Sequence, residues 1–347
     1  MKNALPLAVF VLSAGWLLIT GNLGGDFRID EAHKISETYF LRLIERGDFR
    51  NPDWRSSPVE RANPPVGKVL FGLAMQIARV PLPADMSFAA HPDPRGKPAQ
   101  FRPALLPTRI VSLLATAVTS ALLCLLAGPI ASVLFIGSFL VHTHGTSAIF
   151  DPLLTFLIVA AALPVASCVT WPRTAGAAAL AALAFDTRAS GVLALLGVLA
   201  LLIVHRRFRQ AAAAIAIFFA VATALNPVYW SVDGYTTQLR DLNAVLTATG
   251  EHRLGPLEKI EFVSEYAFGD LIGLITLLGL PFAIRRAPAS ILWWCLTVIV
   301  AFTAWLPVGY PRYVVAVLPA FAITAGFGYR QLLVMGGHFV ERRRRSA

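Results

Sequence analysis

The chain has 347 residues, of which 56% are hydrophobic and only 14% charged, against roughly 25% charged in an average soluble domain. That deficit excludes a soluble globular protein, a disordered chain and a nucleic-acid-binding domain together. The net charge of +10 would suit a polyanionic partner in a soluble protein, so where the charges lie matters more than their sum.

Residues 24–104 hold ten acids and twelve bases, a dense and balanced stretch. Elsewhere the surplus of bases falls in short clusters: Lys2, then Arg206, Arg207 and Arg209, then Arg285 and Arg286, then Arg342 to Arg345. Such clusters beside apolar runs read as cytoplasmic membrane flanks. Cys124, Cys168 and Cys295 have no motif spacing; they predict neither a disulfide framework nor a zinc site, and their role is packing.

A span needs about 20 apolar residues to cross about 30 Å of hydrocarbon. In chain order, clear spans are expected at 4–23, 105–127, 210–230, 268–284, 288–308 and 312–335. The block 128–168 is interrupted by His142, His144, Gly145 and Asp151, and 174–204 by Asp186, Thr187 and Arg188; each reads as two helices. The fold class is therefore an all-α polytopic membrane protein of about ten spans, in one integral-membrane domain covering 1–347. The opening span lacks Ala-x-Ala cleavage chemistry and is read as a retained helix.

With Lys2 inside, ten crossings put all four basic clusters on the cytoplasmic side, including a basic tail at 336–347. The first loop (24–104), a second large loop (231–267), the His142–Asp151 turn and the Asp186–Arg188 turn are then extracytoplasmic. Neither face carries a glycine-rich phosphate loop, so ATP-driven chemistry is not expected.

In the first loop, Ile35, Tyr39, Phe40, Leu43 and Ile44 make one helical stripe over 30–45, with Asp30, His33, Lys34 and Glu37 opposite. This predicts an amphipathic helix lying along the outer membrane surface. A second helix is expected over 66–80, with Lys68 in its first turn. Capping of free N–H groups explains Asp30 at a helix start, and Asp151-Pro152 is a common start signal. Yet a carboxylate at the end of a lipid-embedded helix is costly unless it faces a wet cavity.

Arg109, Asp151, Asp186, Arg188 and Arg312 all stand near outer ends of apolar helices. Snorkelling accounts for single cases, but not for cations and carboxylates collected on one side beside a folded loop. A lipid-linked phosphate there would explain both: Lys and Arg neutralise the phosphate, and a carboxylate takes a proton from an attacking hydroxyl.

Asp30-Glu31 after the first helix, Asn63-Pro64-Pro65-Val66-Gly67-Lys68, Arg109, Asp151-Pro152-Leu153-Leu154 and Tyr310-Pro311-Arg312-Tyr313, in this order, resemble the GT-C glycosyltransferases. The branch is that of the protein O-mannosyltransferases and lipid A aminoarabinose transferases. The resemblance spans about residues 25–320. It implies a membrane enzyme, a hexosyl- or pentosyltransferase, that takes a sugar from a polyprenyl-phosphate donor. The sugar passes with inversion to a protein, lipid or glycan acceptor at the outer face. It also implies Asp30, with Glu31, as base, Asp151 as holder of acceptor or base geometry, and Lys68, Arg109 and Arg312 as phosphate ligands. Arg188 is a supporting residue.

Asn63 replaces the family's usual histidine, and His33 or His142 stand as candidates to compensate. The chain also ends soon after its tenth expected helix, whereas relatives often carry extra helices or a soluble outer domain. No cofactor is marked; the outer carboxylates and histidines leave a divalent cation open, but no spacing marks a metal-ligand set. Alanine- and arginine-rich usage suggests a bacterial source, and with the spans and their orientation the expected location is the bacterial inner membrane, with the site facing the periplasm or exterior.

A lipid-carrier flippase or small-molecule transporter is the competing reading, with Asp151, Asp186 and Arg188 lining a path. Transporters often repeat interrupted helices in matching halves; the two broken blocks here are adjacent and do not recur. A non-catalytic assembly subunit would tolerate substitution at Asp30.

Overall fold

A computed structural model describes residues 4–21, 23–24, 29–55, 64–85, 98–230, 232–234, 236–237, 240, 254–285, 287–306 and 310–346. Asn63, Lys2, Arg286 and much of the second loop lie outside the described residues. Helices account for 82% of the described residues, and none of these forms a strand.

Chain order begins with α1 (Ala4–Thr20), which packs along α5 (Pro98–Ala127). Between them lie α2 (Ile29–Ser36), α3 (Tyr39–Glu45) and α4 (Pro65–Ile77). The single amphipathic helix expected over 30–45 is thus two. At the break, the Thr38 hydroxyl donates to Ile35 O at 2.6 Å and the Thr38 N–H to the same carbonyl at 3.1 Å. A threonine that bonds its own neighbourhood this way competes with helix continuation. The stripe is nevertheless real, for Ile35, Tyr39, Phe40, Leu43 and Ile44 are all turned into the protein. They pack against α4, α5 and the turn at Pro227–Trp230. Glu37, expected on the outward face, is buried as well.

After α5 come α6 (Pro129–Gly137), α7 (Phe139–His144), α8 (Asp151–Ala166), α9 (Trp171–Phe185), α10 (Val192–Val204) and α11 (Phe208–Leu225). The block expected as two helices over 128–168 is three, because Ser138 leaves the helical region at ψ 136°. Gly128 makes the α5–α6 turn with φ +92°, a conformation that suits glycine. The chain closes with α12 (Pro256–Phe268), α13 (Leu271–Gly279), α14 (Ala289–Trp305), α15 (Pro311–Val314) and α16 (Leu318–Ser346).

Most of α8 is buried, as expected for a helix that is apolar all round. It is enclosed by α5, α9 and α10. On α9 the buried face is Ala177, Ala178, Ala181 and Ala182, small residues that let apolar helices approach closely. Among the described residues two helices are able by length and composition to cross a membrane, Arg102–Ala127 and Phe208–Leu225, or three if the pair Pro256–Phe268 and Leu271–Ile284, bent by 107°, counts as one. The remaining apolar helices are shorter, at 10–17 residues. Apolar runs here are divided into pieces by turns.

Successive short helices run back and forth. The start of α8 therefore lies beside the turn after α9, and the turn after α9 beside the first residues of α4, where Val66 N–H donates to Asp186 O at 2.9 Å. Arg206 lies at the opposite end of α10 from that turn.

Candidate active site

The first turn of α2 points two acids in different directions. Glu31 is fully buried, and Arg109 grips it bidentately, Nε donating at 2.8 Å and Nη2 at 2.7 Å. The same carboxylate accepts the Ala148 N–H at 2.8 Å, while Arg109 Nη1 donates to Leu23 O at 2.9 Å. Arg109 is 1% exposed and sits well inside α5, which starts earlier than the expected residue 105. Asp30, about 100° round the helix, has a side chain 51% exposed and forms an ion pair with Arg312.

Asp151 opens α8 with Pro152 in the first turn, where a missing N–H costs nothing. Its buried carboxylate is ion-paired with Arg188, which sits just after the α9 turn. The Arg188 guanidinium lies 4.2 Å from the Tyr313 ring centroid, and Arg312 lies 5.3 Å from the rings of both Tyr310 and Tyr313. The Tyr313 ring thus lies within cation–ring range of two guanidiniums, and this favourable geometry holds all three.

One turn beyond Asp30, Lys34 Nζ lies 2.6 Å from Glu37 Oε1 and 5.0 Å from the Phe150 ring centroid. Lys68 is only 3% exposed, with Nζ 3.7 Å from Glu37 Oε2 and 4.1 Å from the Phe40 ring centroid. Its helix reaches this place because of Gly67: a Cβ there would meet Phe150 ring carbons at 2.7–2.9 Å. These contacts link Asp30, Lys34, Glu37, Lys68, Asp151, Arg188 and Arg312 into one belt at one end of the bundle. It carries four cations against three carboxylates, so its charge favours an anion. Arg312 Nε is without a hydrogen-bond partner among the described residues.

Of the residues singled out in the sequence, the structure brings Asp30, Asp151, Arg188, Arg312 and Lys68 together. Glu31 and Arg109 form a separate buried pair, each already occupied by the other. His142 is not in the belt: its Nε2 accepts from Trp16 Nε1 at 3.1 Å and its Nδ1 lies 3.2 Å from the Thr20 hydroxyl, tying α7 to α1. His33 is half-buried on α2. Asp186 is buried, with its carboxyl near Asn226 but outside hydrogen-bond geometry. Among the described residues no three of His, Cys, Asp and Glu come together as a metal ion requires.

Lys34 and Glu37 were not singled out as site residues. Their spacing of three, which puts side chains side by side on a helix, was the available signal. Beyond the belt, Tyr39 donates its phenol to Asp53 Oδ2 at 2.9 Å. Burial and the neighbouring Asp53 push that phenol up to about 12.

By sequence, no protein-family model and no curated protein matches the chain. By structure, the crystal structure of ArnT from Cupriavidus metallidurans bound to undecaprenyl phosphate superposes with a TM-score of 0.58 at 12% identity. That match covers 96% of this chain and 62% of ArnT. The apo-state ArnT structure gives a TM-score of 0.54 at 16% identity, over 94% of this chain and 62% of ArnT. The chain shares the fold of ArnT. The resemblance read from the ordered motifs thus holds for the fold. This chain spans about three-fifths of ArnT's length.

Proposed function

We propose that the chain is an inverting glycosyltransferase that moves a sugar from a polyprenyl-phosphate carrier to an acceptor at the extracytoplasmic membrane face. The observation that carries this reading is the pairing of Asp30 with Arg312. It sets a half-exposed carboxylate directly beside a cluster of guanidiniums whose other carboxylates are buried. The ArnT fold and its undecaprenyl phosphate ligand support a polyprenyl phosphate as the anion. The bacterial inner membrane is the proposed location.

Inverting displacement needs a base on one side of the anomeric carbon and positive charge on the departing phosphate on the other. Arg312 and Arg188 take the phosphate oxygens, with Lys68 and Lys34 adding charge from the side. An arriving phosphate competes for Arg312 and releases the Asp30 carboxylate. The acceptor hydroxyl then gives its proton to Asp30 as its oxygen bonds to the anomeric carbon. The bond from that carbon to the phosphate oxygen breaks, and its electron pair leaves on the lipid phosphate. Asp151 positions Arg188, and the Tyr313 ring packs against both guanidiniums. Glu31 and Arg109 hold α2 against α5 and so position Asp30; neither contacts substrate in this mechanism.

The test is Asp30→Asn in purified enzyme. A positioned base contributes about 10²–10⁴-fold, so transfer should fall at least about a hundredfold with the melting temperature unchanged. Binding of undecaprenyl phosphate should persist in this variant and weaken about tenfold in Arg312→Ala. Normal turnover by Asp30→Asn sinks the base assignment; unchanged lipid-phosphate affinity in Arg312→Ala removes the phosphate site.

A further inference from the structure

The end of the bundle opposite the phosphate belt has chemistry of its own. Between residues 94 and 232 the acids are Asp151 and Asp186 alone, and both stand at the belt end. The opposite end of the same stretch carries Arg173, Arg206, Arg207 and Arg209, all exposed.

Two helices begin there. α9 starts at Trp171 and α11 at Phe208, and both run from this end toward the belt. They pack side by side, with the Phe185 and Phe218 ring centroids 5.4 Å apart. Small buried residues, Ala178 and Ala182 on one and Ala211 and Ala214 on the other, let parallel helices approach closely. Each helix carries about half a positive charge at its N-terminus, so the two starts add rather than cancel. Neither is capped by its own N-cap residue, for Thr170 and Arg207 make no side-chain capping bond.

Just inside these starts, two buried side chains each keep a polar atom without a partner among the described residues, the Thr174 hydroxyl and Gln210 Oε1. Thr116, Thr155, Thr276 and Thr303 each donate to the carbonyl four residues back, the ordinary way to satisfy a hydroxyl inside a helix. Thr174 does not. It lies within about 20° of Phe185 round α9, on the face turned to α11, and side chains of a helix lean toward its N-terminus. Its hydroxyl is therefore aimed at the paired starts.

The first residue of each helix, Trp171 and Phe208, is exposed. Aromatic rings at helix ends sit at the depth of lipid headgroups in a membrane protein, where phospholipid phosphates lie. A free anion needs no such rings.

We propose that the paired starts of α9 and α11 bind the headgroup of an anionic phospholipid. Its phosphodiester accepts from the Thr174 hydroxyl and from first-turn N–H groups, and its glycerol hydroxyl donates to Gln210. Arg173, Arg206 and Arg209 neutralise it from outside. This inference rests on the chain being a membrane protein, not on the glycosyltransferase reading. The length of α9 puts the site about 25 Å from Arg188, so it is separate from the belt.

The test uses the full chain, delipidated in detergent, with dioleoyl phosphatidylglycerol as the probe and native mass spectrometry to count bound lipid. Saturable binding of one lipid is expected, at least about tenfold tighter than dioleoyl phosphatidylcholine, whose choline offsets the phosphate charge. Inorganic phosphate at the same concentration should not displace it. Thr174→Val keeps the shape, removes the hydroxyl and should weaken the probe about tenfold. Arg173→Gln, at an exposed position, should weaken it about threefold. Arg342→Gln with Arg343→Gln takes more charge from the basic tail and should change nothing, and Arg312→Ala should change nothing either. Equal binding of the two lipids, wild-type affinity in Thr174→Val or displacement by inorganic phosphate overturns the proposal. So does loss of the probe in Arg312→Ala, which would put it in the belt, or in the tail variant, which would reduce it to general charge attraction. Asp30→Asn should bind the probe as wild type. If that variant transfers sugar normally, the base assignment fails while the phospholipid site stands.

Discussion

At the scale of single residues, Glu31 and Asp30 show how one step along a helix separates structure from chemistry. Glu31 has given its oxygens to Arg109 and Ala148 N–H, so it holds the first loop to α5. Breaking a buried pair by removing one partner costs about 3–5 kcal/mol, because the other charge is left uncompensated. Arg109→Met and Glu31→Leu should therefore each lower the melting temperature sharply, whereas the double variant should recover most of the loss. A double variant as unstable as the sum of the singles would show that the two do not act as a pair. Tyr39 makes a second prediction. Its phenol is raised from 10.0 to about 12, so the folded state favours the protonated form. That contribution is complete below pH 10 and is lost as pH rises through 12. Tyr39→Phe, lacking a hydrogen bond typically worth about 1 kcal/mol, should melt lower than wild type at pH 8 and converge with it above pH 12. Tyrosinate absorbance in the wild type should show a late-titrating group that is missing from Tyr39→Phe.

At the scale of elements, the site depends on how closely α4 approaches the start of α8. Alanine at position 67 would gain up to about 1 kcal/mol of helix propensity. Its Cβ would also enter the Phe150 ring at 2.7–2.9 Å, and overpacking of this kind costs about 1–3 kcal/mol. Phe150 is itself clamped against Phe71, ring centroids 5.1 Å apart, so the collision outweighs the propensity. Gly67→Ala should lower the melting temperature and weaken lipid-phosphate binding, and adding Phe150→Leu should restore both. A Gly67→Ala variant as stable as wild type would show that the ring yields freely. Some of this geometry was legible in the sequence: the stripe from Ile35 to Ile44 does bury, and Asp151-Pro152 does start a helix. The break at Thr38 was not, because it depends on a hydroxyl choosing the Ile35 carbonyl over solvent. The burial of Glu31 was not legible either, since its partner stands 78 residues away.

At the scale of the whole molecule, charge sorting in the sequence anticipates what the helix packing delivers. Asp30, Asp151, Arg188 and Arg312 come from four separate segments and meet at one end, because short helices running back and forth return every second turn to the same level. Arg206, Arg207 and Arg209 are left at the other end. Length arithmetic missed two breaks: the expected span 312–335 is divided between Val314 and Leu318, and the block 128–168 has a further break at Ser138. If the positive-inside rule sets the orientation, the two ends face different compartments. In a Cys168→Ser background, which removes the exposed native thiol and keeps the buried Cys124 and Cys295, cysteines can be placed at Glu45 and Arg207, both exposed. A membrane-impermeant maleimide added to intact cells with a permeable outer membrane should label position 45 at once. Position 207 should react only after the inner membrane is opened. The reverse pattern would turn the molecule over and put Asp30 in the cytoplasm; labelling of both in intact cells would mean that the basic cluster does not sit on the inner face.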